Sequence, residues 1–256
     1  MANKKVPVKF CITSGKGGVG KTSVTVNLAY ALAARGVRVL VVDGDLGLAN
    51  VDVILGLSVQ KTLRDVLEGD GRGDVLDAVV YVEPNFGVLP ANSGVPEMAD
   101  LGPEEQEQMG EILSNIAAHF DIVLIDTAAG IGASVLWFNN FVEFCIVIIT
   151  ADPTSMTDAY ALMKILSKDY DRDQFHLIMN LVASEGEGKQ VFDTISKVSR
   201  QYLGVHPHHL ATVLQDKAVV KAVRERKPFV KHEPRSKAAQ AITALAARVA
   251  ELARLK

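Results

Sequence analysis

Gly15-Lys16-Gly17-Gly18-Val19-Gly20-Lys21-Thr22 decides how this chain is read. It fits G-x-x-x-x-G-K-[ST], a spacing whose chemistry is phosphate binding. The apolar run Val8-Lys9-Phe10-Cys11-Ile12-Thr13 before it reads as a buried strand. Ser23 to Ala34 after it, rich in Val, Leu and Ala, reads as a helix. Between the two, glycines take positive φ and bring backbone up to a ligand with no Cβ in the way. Successive N–H groups then turn inward at a helix N-terminus, where the dipole favours an anion. Lys21 reaches the β- and γ-phosphates and the Thr22 hydroxyl holds Mg²⁺. The expected nucleotide-binding residues are therefore Gly15, Gly17, Gly18, Val19, Gly20, Lys21, Thr22 and Ser23. A Gly-rich turn with no ligand is the plain alternative, and the strand–helix context argues against it.

Outward from the loop, Gly36 caps the first helix and Val37-Arg38-Val39-Leu40-Val41-Val42 forms a second buried strand. Strand, helix, strand imply a right-handed crossover and a parallel sheet. Asp43 and Asp45 follow at i and i+2, so they share a face at the carboxyl end of a strand, where open α/β sheets bind ligands. Two carboxylates beside a triphosphate suit coordination of Mg²⁺ through water and orientation of an attacking water. Taken alone, they would pass as ordinary loop carboxylates.

Asp121-Ile122-Val123-Leu124-Ile125-Asp126 is a third buried strand that ends on a carboxylate, followed by Thr127-Ala128-Ala129-Gly130-Ile131-Gly132. Asp126 can accept from a Mg²⁺-bound water and the Gly130 N–H can meet a γ-phosphate. Phe144 to Thr150 reads as a fourth strand, with a Pro-containing turn and a capped helix through Lys164 behind it. Phe175 to Leu181 and Leu210 to Leu214 are further strands, and Lys189 to Leu203 is an amphipathic helix. Phe86 to Pro90 reads as a short strand, Gly69 to Gly73 as a loop, and Thr62 to Leu67 as a short helix with Thr62 as cap and Asp65 at N3. Pro103-Glu104-Glu105 opens a helix whose Met109, Ile112, Leu113 and Ile116 face the core. Ser236 to Leu255 forms the last helix, striped with Ile242, Leu245, Val249 and Leu252.

Composition narrows the class. The chain has 256 residues, 48% hydrophobic and 22% charged, with a formal balance of −3, so it is neither disordered nor a membrane protein nor basic overall. No run approaches the ~20 apolar residues a bilayer span needs. A leader is not expected after Lys4 and Lys5, since Lys9 interrupts the apolar run and cleavage would destroy the phosphate loop; with only two cysteines, a reducing cytoplasm is expected. Cys11 and Cys145 lie in strand-like runs and are read as core residues. His206, His208 and His209 are read as a surface turn. Residues 217–237 are basic (Lys217, Lys221, Arg224, Arg226, Lys227, Lys231, Arg235, Lys237); a salt-bridged, solvated face is preferred there over a contact with DNA or an acidic partner.

Lys16, directly after the first glycine, is not needed for phosphate binding in cis. With it the chain resembles the K-G-G-x-x-G-K-[ST] family of MinD- and ParA-like ATPases. Pro153-Thr-Ser-x-Thr-Asp-Ala-Tyr-Ala-Leu-x-Lys164, the run Asp43 to Asp52 and Asp126-Thr-x-Ala-Gly-Ile131 are similar to the flagellar-number regulators of that family (FlhG/FleN type), over roughly residues 8 to 250. The resemblance implies one P-loop NTPase domain over residues 1–256: an α/β fold with a mostly parallel twisted sheet of about seven or eight strands and helices on both faces.

It also implies an ATPase using ATP and Mg²⁺ and working as an ATP-dependent homodimer with flagellar regulatory or assembly partners. Lys16 would reach the partner's phosphates, Asp45 would orient the attacking water, and Asp43 would stand behind Mg²⁺ with Thr22 and Asp126. Residues 46–57 would be a first switch and Thr127 to Gly132 a second. Asn180 would read the adenine edge, and Asn50, Asp52, Asp152 and Asp158 would lie at the dimer interface. Partition or division-site ATPases with DNA or membrane binding are the family's other roles. Leu214 stands where relatives place a Pro in the adenine-covering loop. No separate membrane-targeting segment is expected after residues 236–255, nor an N-terminal extension that activates a GTPase.

Overall fold

The computed structural model describes residues 6–46, 50–67, 75–91 and 102–254. Among these the chain runs β1 (Val8–Ser14), α1 (Lys21–Ala33), β2 (Val39–Gly44), α2 (Val51–Leu55), α3 (Leu63–Leu67), a 3₁₀ turn (Val75–Ala78), β3 (Val80–Glu83), β4 (Phe86–Leu89) and α4 (Pro103–Ala117). It continues through β5 (Ile122–Ala129), α5 (Ala133–Phe141), β6 (Phe144–Ile149), α6 (Pro153–Asp169), β7 (His176–Val182), α7 (Glu185–Leu203), β8 (His208–Leu214), α8 (Lys217–Arg224), α9 (Phe229–His232) and α10 (Lys237–Arg254).

The strands form one sheet in the order β3-β4-β2-β5-β1-β6-β7-β8. Every pairing is parallel except β3 with β4. Alternation of side chains assigns the two faces. Phe10, Ile12, Val39, Val41, Ile122, Leu124, Ile146 and Ile148 pack with α1 and α10 in one core. Their neighbours Cys11, Leu40, Val42, Val123 and Ile125 pack on the opposite face with α4 and α5. Cys145, Val147, Ile149, Leu177 and Met179 pack there with α6 and α7. Strands buried on both faces read as continuous apolar runs, which is why their positions were legible.

β1 lies in the middle, and the chain leaves it first toward β2 and later toward β6 on its other side. Such a reversal point opens a crevice at the carboxyl ends of the strands, and the phosphate loop leaves β1 there.

Some boundaries move for local reasons. α1 starts at Lys21, two residues early, because Gly20 (φ 91°) turns the chain directly into the helix. α7 starts at Glu185: the N-cap Ser184 Oγ accepts from Glu187 N (3.1 Å), and Glu187 Oε2 reaches one residue further back to accept from Ala183 N (2.6 Å). Thr62 and Asp65 cap α3 as expected, with Asp65 Oδ2 accepting from Thr62 N at 2.7 Å. The histidine turn needs correction: His208 and His209 open β8, and only His206 precedes it. The expected loop Gly69–Gly73, Gly47 to Ala49 of the first switch and Leu255 lie outside the described residues. No helix among the described residues is long and apolar enough to cross a membrane.

Near the amino ends of four strands, rings line up across the sheet. Phe10 stacks on Phe144 (centroids 4.9 Å apart), Phe144 meets His176 edge-on (5.5 Å), and His176 stacks on His208 (5.4 Å).

Candidate functional site

α6, α7 and α8 are capped by the side chains of Asp152, Ser184 and Asp216. α1 has no side-chain cap, and Gly20 alone turns into it. Its first N–H groups are therefore left for a ligand. Gly18 (φ 75°) has open space where a Cβ would stand, which suits a cradle that a phosphate fills. Gly15 serves a different need: a Cβ there would come within 2.2 Å of the Asp158 carbonyl carbon and 2.6 Å of Ala159 N, so the loop lies directly on the backbone of α6.

Lys21 is buried, and its Nζ donates to Ser14 Oγ (3.0 Å). Burial lowers its pKa, while the charges of Asp126 and Asp45 pull it back up. Asp126 is buried at the end of β5; burial raises its pKa to about 6 against the opposing effects of a hydrogen bond from Thr22 and the Lys21 charge. Thr25 Oγ1 lies 3.0 Å from both Asp126 Oδ1 and the Lys21 carbonyl. Asp43 is fully buried and accepts from the backbone of Asp45 (3.1 Å), Asn50 (2.9 Å) and Val51 (3.1 Å). Burial, then the Asp126 charge, raise its pKa to about 7 against those bonds. The donor set of Thr22, Asp126, Asp43 and Asp45 is hard oxygen, as Mg²⁺ requires. Ser23 lies in the first turn of α1, where its carbonyl accepts from Asn27 Nδ2 (2.8 Å).

Three groups expected to touch nucleotide or a partner are engaged within the chain. Lys16 Nζ donates to Asp152 Oδ2 (2.7 Å) and Thr154 Oγ1 (2.5 Å), and the hydrogen bonds that Asp152 accepts from Lys16 and Thr154 hold its exposed carboxyl down to about 2. Gly130 N–H donates to the Ser14 carbonyl (2.9 Å). Asn180 Nδ2 donates to the Val19 carbonyl (2.7 Å), tying β7 to the phosphate loop.

A cavity of about 460 Å³ lies beside the loop, lined among others by Gly17, Gly18, Val19, Thr150, Leu181 and Gln215. Leu181 is 42% exposed and takes a left-handed backbone (φ 55°) where β7 bulges, and Leu214 ends β8 next to Gln215.

Lys16 and Asp152 are thus brought together, with Asp158 half-buried on the next turn of α6, while Asn50 and Asp52 sit at α2 on the other side of β1. Asp52 Oδ1 accepts from Val53 N (2.8 Å). Sequence reasoning missed Ser14 and Thr25. A polar residue closing an apolar strand, and a Thr one helical turn after Lys21, were the available signals. In the basic stretch, Lys221 pairs with Glu233 (3.2 Å), Lys227 with Glu225 (3.2 Å) and Lys231 with Glu83 (2.5 Å).

An uncapped helix behind a glycine loop at the reversal point of a parallel sheet, with a buried lysine and strand-end carboxylates around it, defines a phosphate-loop nucleotide-binding protein. Comparison with known proteins narrows this. Residues 8–178 match the family model of an AAA domain. The chain is 41% identical over 240 residues to the antiactivator FleN of Pseudomonas aeruginosa, covering 94% of this chain and 85% of the relative. It is 34% identical to the flagellum site-determining protein YlxH of Helicobacter pylori, covering 95% and 82%. The structure of the septum site-determining protein MinD of Pyrococcus horikoshii, complexed with Mg-ADP, superposes with a TM-score of 0.77 at 29% identity, covering 96% of this chain and 97% of that one. The chain belongs to the MinD/ParA family of phosphate-loop ATPases.

Proposed function

We propose that this protein is an ATP-operated dimerisation switch that hydrolyses ATP to ADP and regulates flagellar number or placement through protein partners. The likeness to FleN and YlxH supports the flagellar role. One observation carries the switch: the loop holds two lysines in different settings. Lys21 is buried against Ser14 and suffices for phosphate in cis, whereas Lys16 stands half-exposed at the rim of the loop cavity.

Binding begins at the free N–H groups of α1 and at Lys21, which neutralise charge on the phosphates. Lys16 exchanges its contact with Asp152 for the phosphates of a second protomer. An exposed ion pair is weak, so this exchange costs little. Asp45, half-buried and hydrogen-bonded through its N–H to Asp43, orients the attacking water and takes up its proton. Mg²⁺, held by Thr22 with Asp126 acting through water, would draw charge from the bridging oxygens. ATP drives dimerisation only by binding the dimer better than ADP does, and hydrolysis then reopens it.

Light scattering with ATP or ADP tests the reading. The wild type is expected to dimerise with ATP alone, Asp45→Ala to dimerise more persistently, and Lys16→Ala to stay monomeric while still binding nucleotide. If Lys16→Ala leaves both self-association and turnover unchanged, the switch reading fails.

A further inference from the structure

Asp43 was expected behind Mg²⁺, yet its surroundings describe another task. Among the described residues its oxygens take three backbone N–H groups: Asp45 on Oδ1, Asn50 and Val51 on Oδ2. That occupies at least three of the roughly four acceptor sites of a carboxylate. All three donors belong to the one segment that leaves β2, carries Asp45 and enters α2.

The same segment is anchored by apolar side chains on opposite faces of the sheet. Leu46 packs in the core beside α4 and α5, and Val51 in the core beside α1 and α10. The Val51 N–H lies in the first turn of α2, where a helix offers no backbone acceptor. Asp45, just before the first anchor, lies near enough for its charge to act on both Lys21 and Asp126.

We propose that Asp43 is a positioning residue: its buried carboxylate ties the backbone of Asp45 to that of Asn50 and Val51, as a bracket, and so aims Asp45 at the phosphate loop. The proposal rests on the ATPase reading above for its catalytic consequence, but not for the bracket itself. An asparagine at 43 would set an N–H₂ against backbone N–H groups and break the bracket, whereas an asparagine at 45 leaves every acceptor in place.

Amide hydrogen exchange and steady-state turnover of the full chain test it together. In wild type kept in EDTA without nucleotide, the Asn50 and Val51 amides are expected to exchange at least about tenfold more slowly than in an unstructured chain. Exchange at the unstructured rate, or protection only after Mg²⁺ is added, overturns the bracket even if Asp43→Asn does not fold.

In Asp43→Ala, which removes both acceptor oxygens, that protection is expected to vanish; Asp43→Asn is expected to lose it either there or at the Asp45 amide, whichever faces the N–H₂, while Asp45→Asn keeps it. Turnover should fall about tenfold or more in kcat, with ATP affinity in EDTA and the half-saturating Mg²⁺ concentration both within about twofold of wild type. A half-saturating Mg²⁺ concentration that rises about tenfold while both amides stay protected marks Asp43 as a metal ligand and overturns the proposal. A wild type that hydrolyses no ATP removes the function proposed above, and the exchange measurement still decides the bracket.

Discussion

At the carboxyl ends of β1, β2 and β5, the buried groups are Lys21, Asp43 and Asp126, each held by hydrogen bonds. Near the amino ends of β1, β6, β7 and β8 they are the rings of Phe10 and His176, with half-buried Phe144 between them and the exposed His208 completing the row. β1 takes part at both ends of the one sheet, and the contrast there is one of solvation. Charges at one end raise the cost of folding and are tolerated because they are partnered. Rings at the other end bury apolar area and favour folding. Stability and activity are thereby separated between the two edges of one sheet, with β1 reaching both.

Phe10→Ala should have the largest effect, a loss of about 3–5 kcal/mol in stability by denaturant titration. Turnover per folded molecule should stay within about twofold. A large change in turnover would show that the two ends are coupled. Lys21→Ala should do the reverse, costing roughly 2.7–4 kcal/mol of transition-state stabilisation, a loss of about 10²–10³ in kcat. A collapse of the fold in that variant would break the comparison from the other side.

The smallest effect is a pH dependence of opposite sign at the two ends. Burial, then the neighbouring His208, hold the His176 pKa down to about 4 from 6.5, and its Nδ1 has no partner among the described residues. Folding favours the neutral ring, so its contribution is complete above pH 6.5 and is lost as pH falls toward 4. Asp43 and Asp126, raised from 3.8 to about 7 and about 6, act oppositely: their contribution is complete below pH 3.8 and is lost as pH rises through 6 and 7. Thermal melts of metal-free His176→Phe should therefore lose less Tm than wild type between neutral pH and the lower limit, by about 2–4 °C. Equal losses would show that His176 is not the group responsible.

What could be read from the residues was whatever is local. Continuous apolar runs marked the buried strands, and Gly15 to Thr22 carries its chemistry in its own spacing. The antiparallel β3 lies in the apolar run Ala78 to Val82, but with Tyr81 exposed and the other three residues half-buried it is a short edge strand that the run alone does not distinguish. α5 follows two glycines and an apolar stretch that periodicity alone does not separate from strand. The tie from Asn180 to Val19 spans 161 residues and the Lys16–Asp152 pair 136, and only the fold brings them together. Asp43 was located correctly from its spacing, but its three backbone donors lie on a turn whose shape the spacing does not encode.

The contact between Gly15 and α6 has one more consequence. The first glycine of the loop is needed by the helix behind it as much as by any phosphate in front, since even a methyl group would force the two backbones apart. Loop and helix must therefore move as one body, and a protein bound along α6 would feel the arrival of a nucleotide with no relay in between.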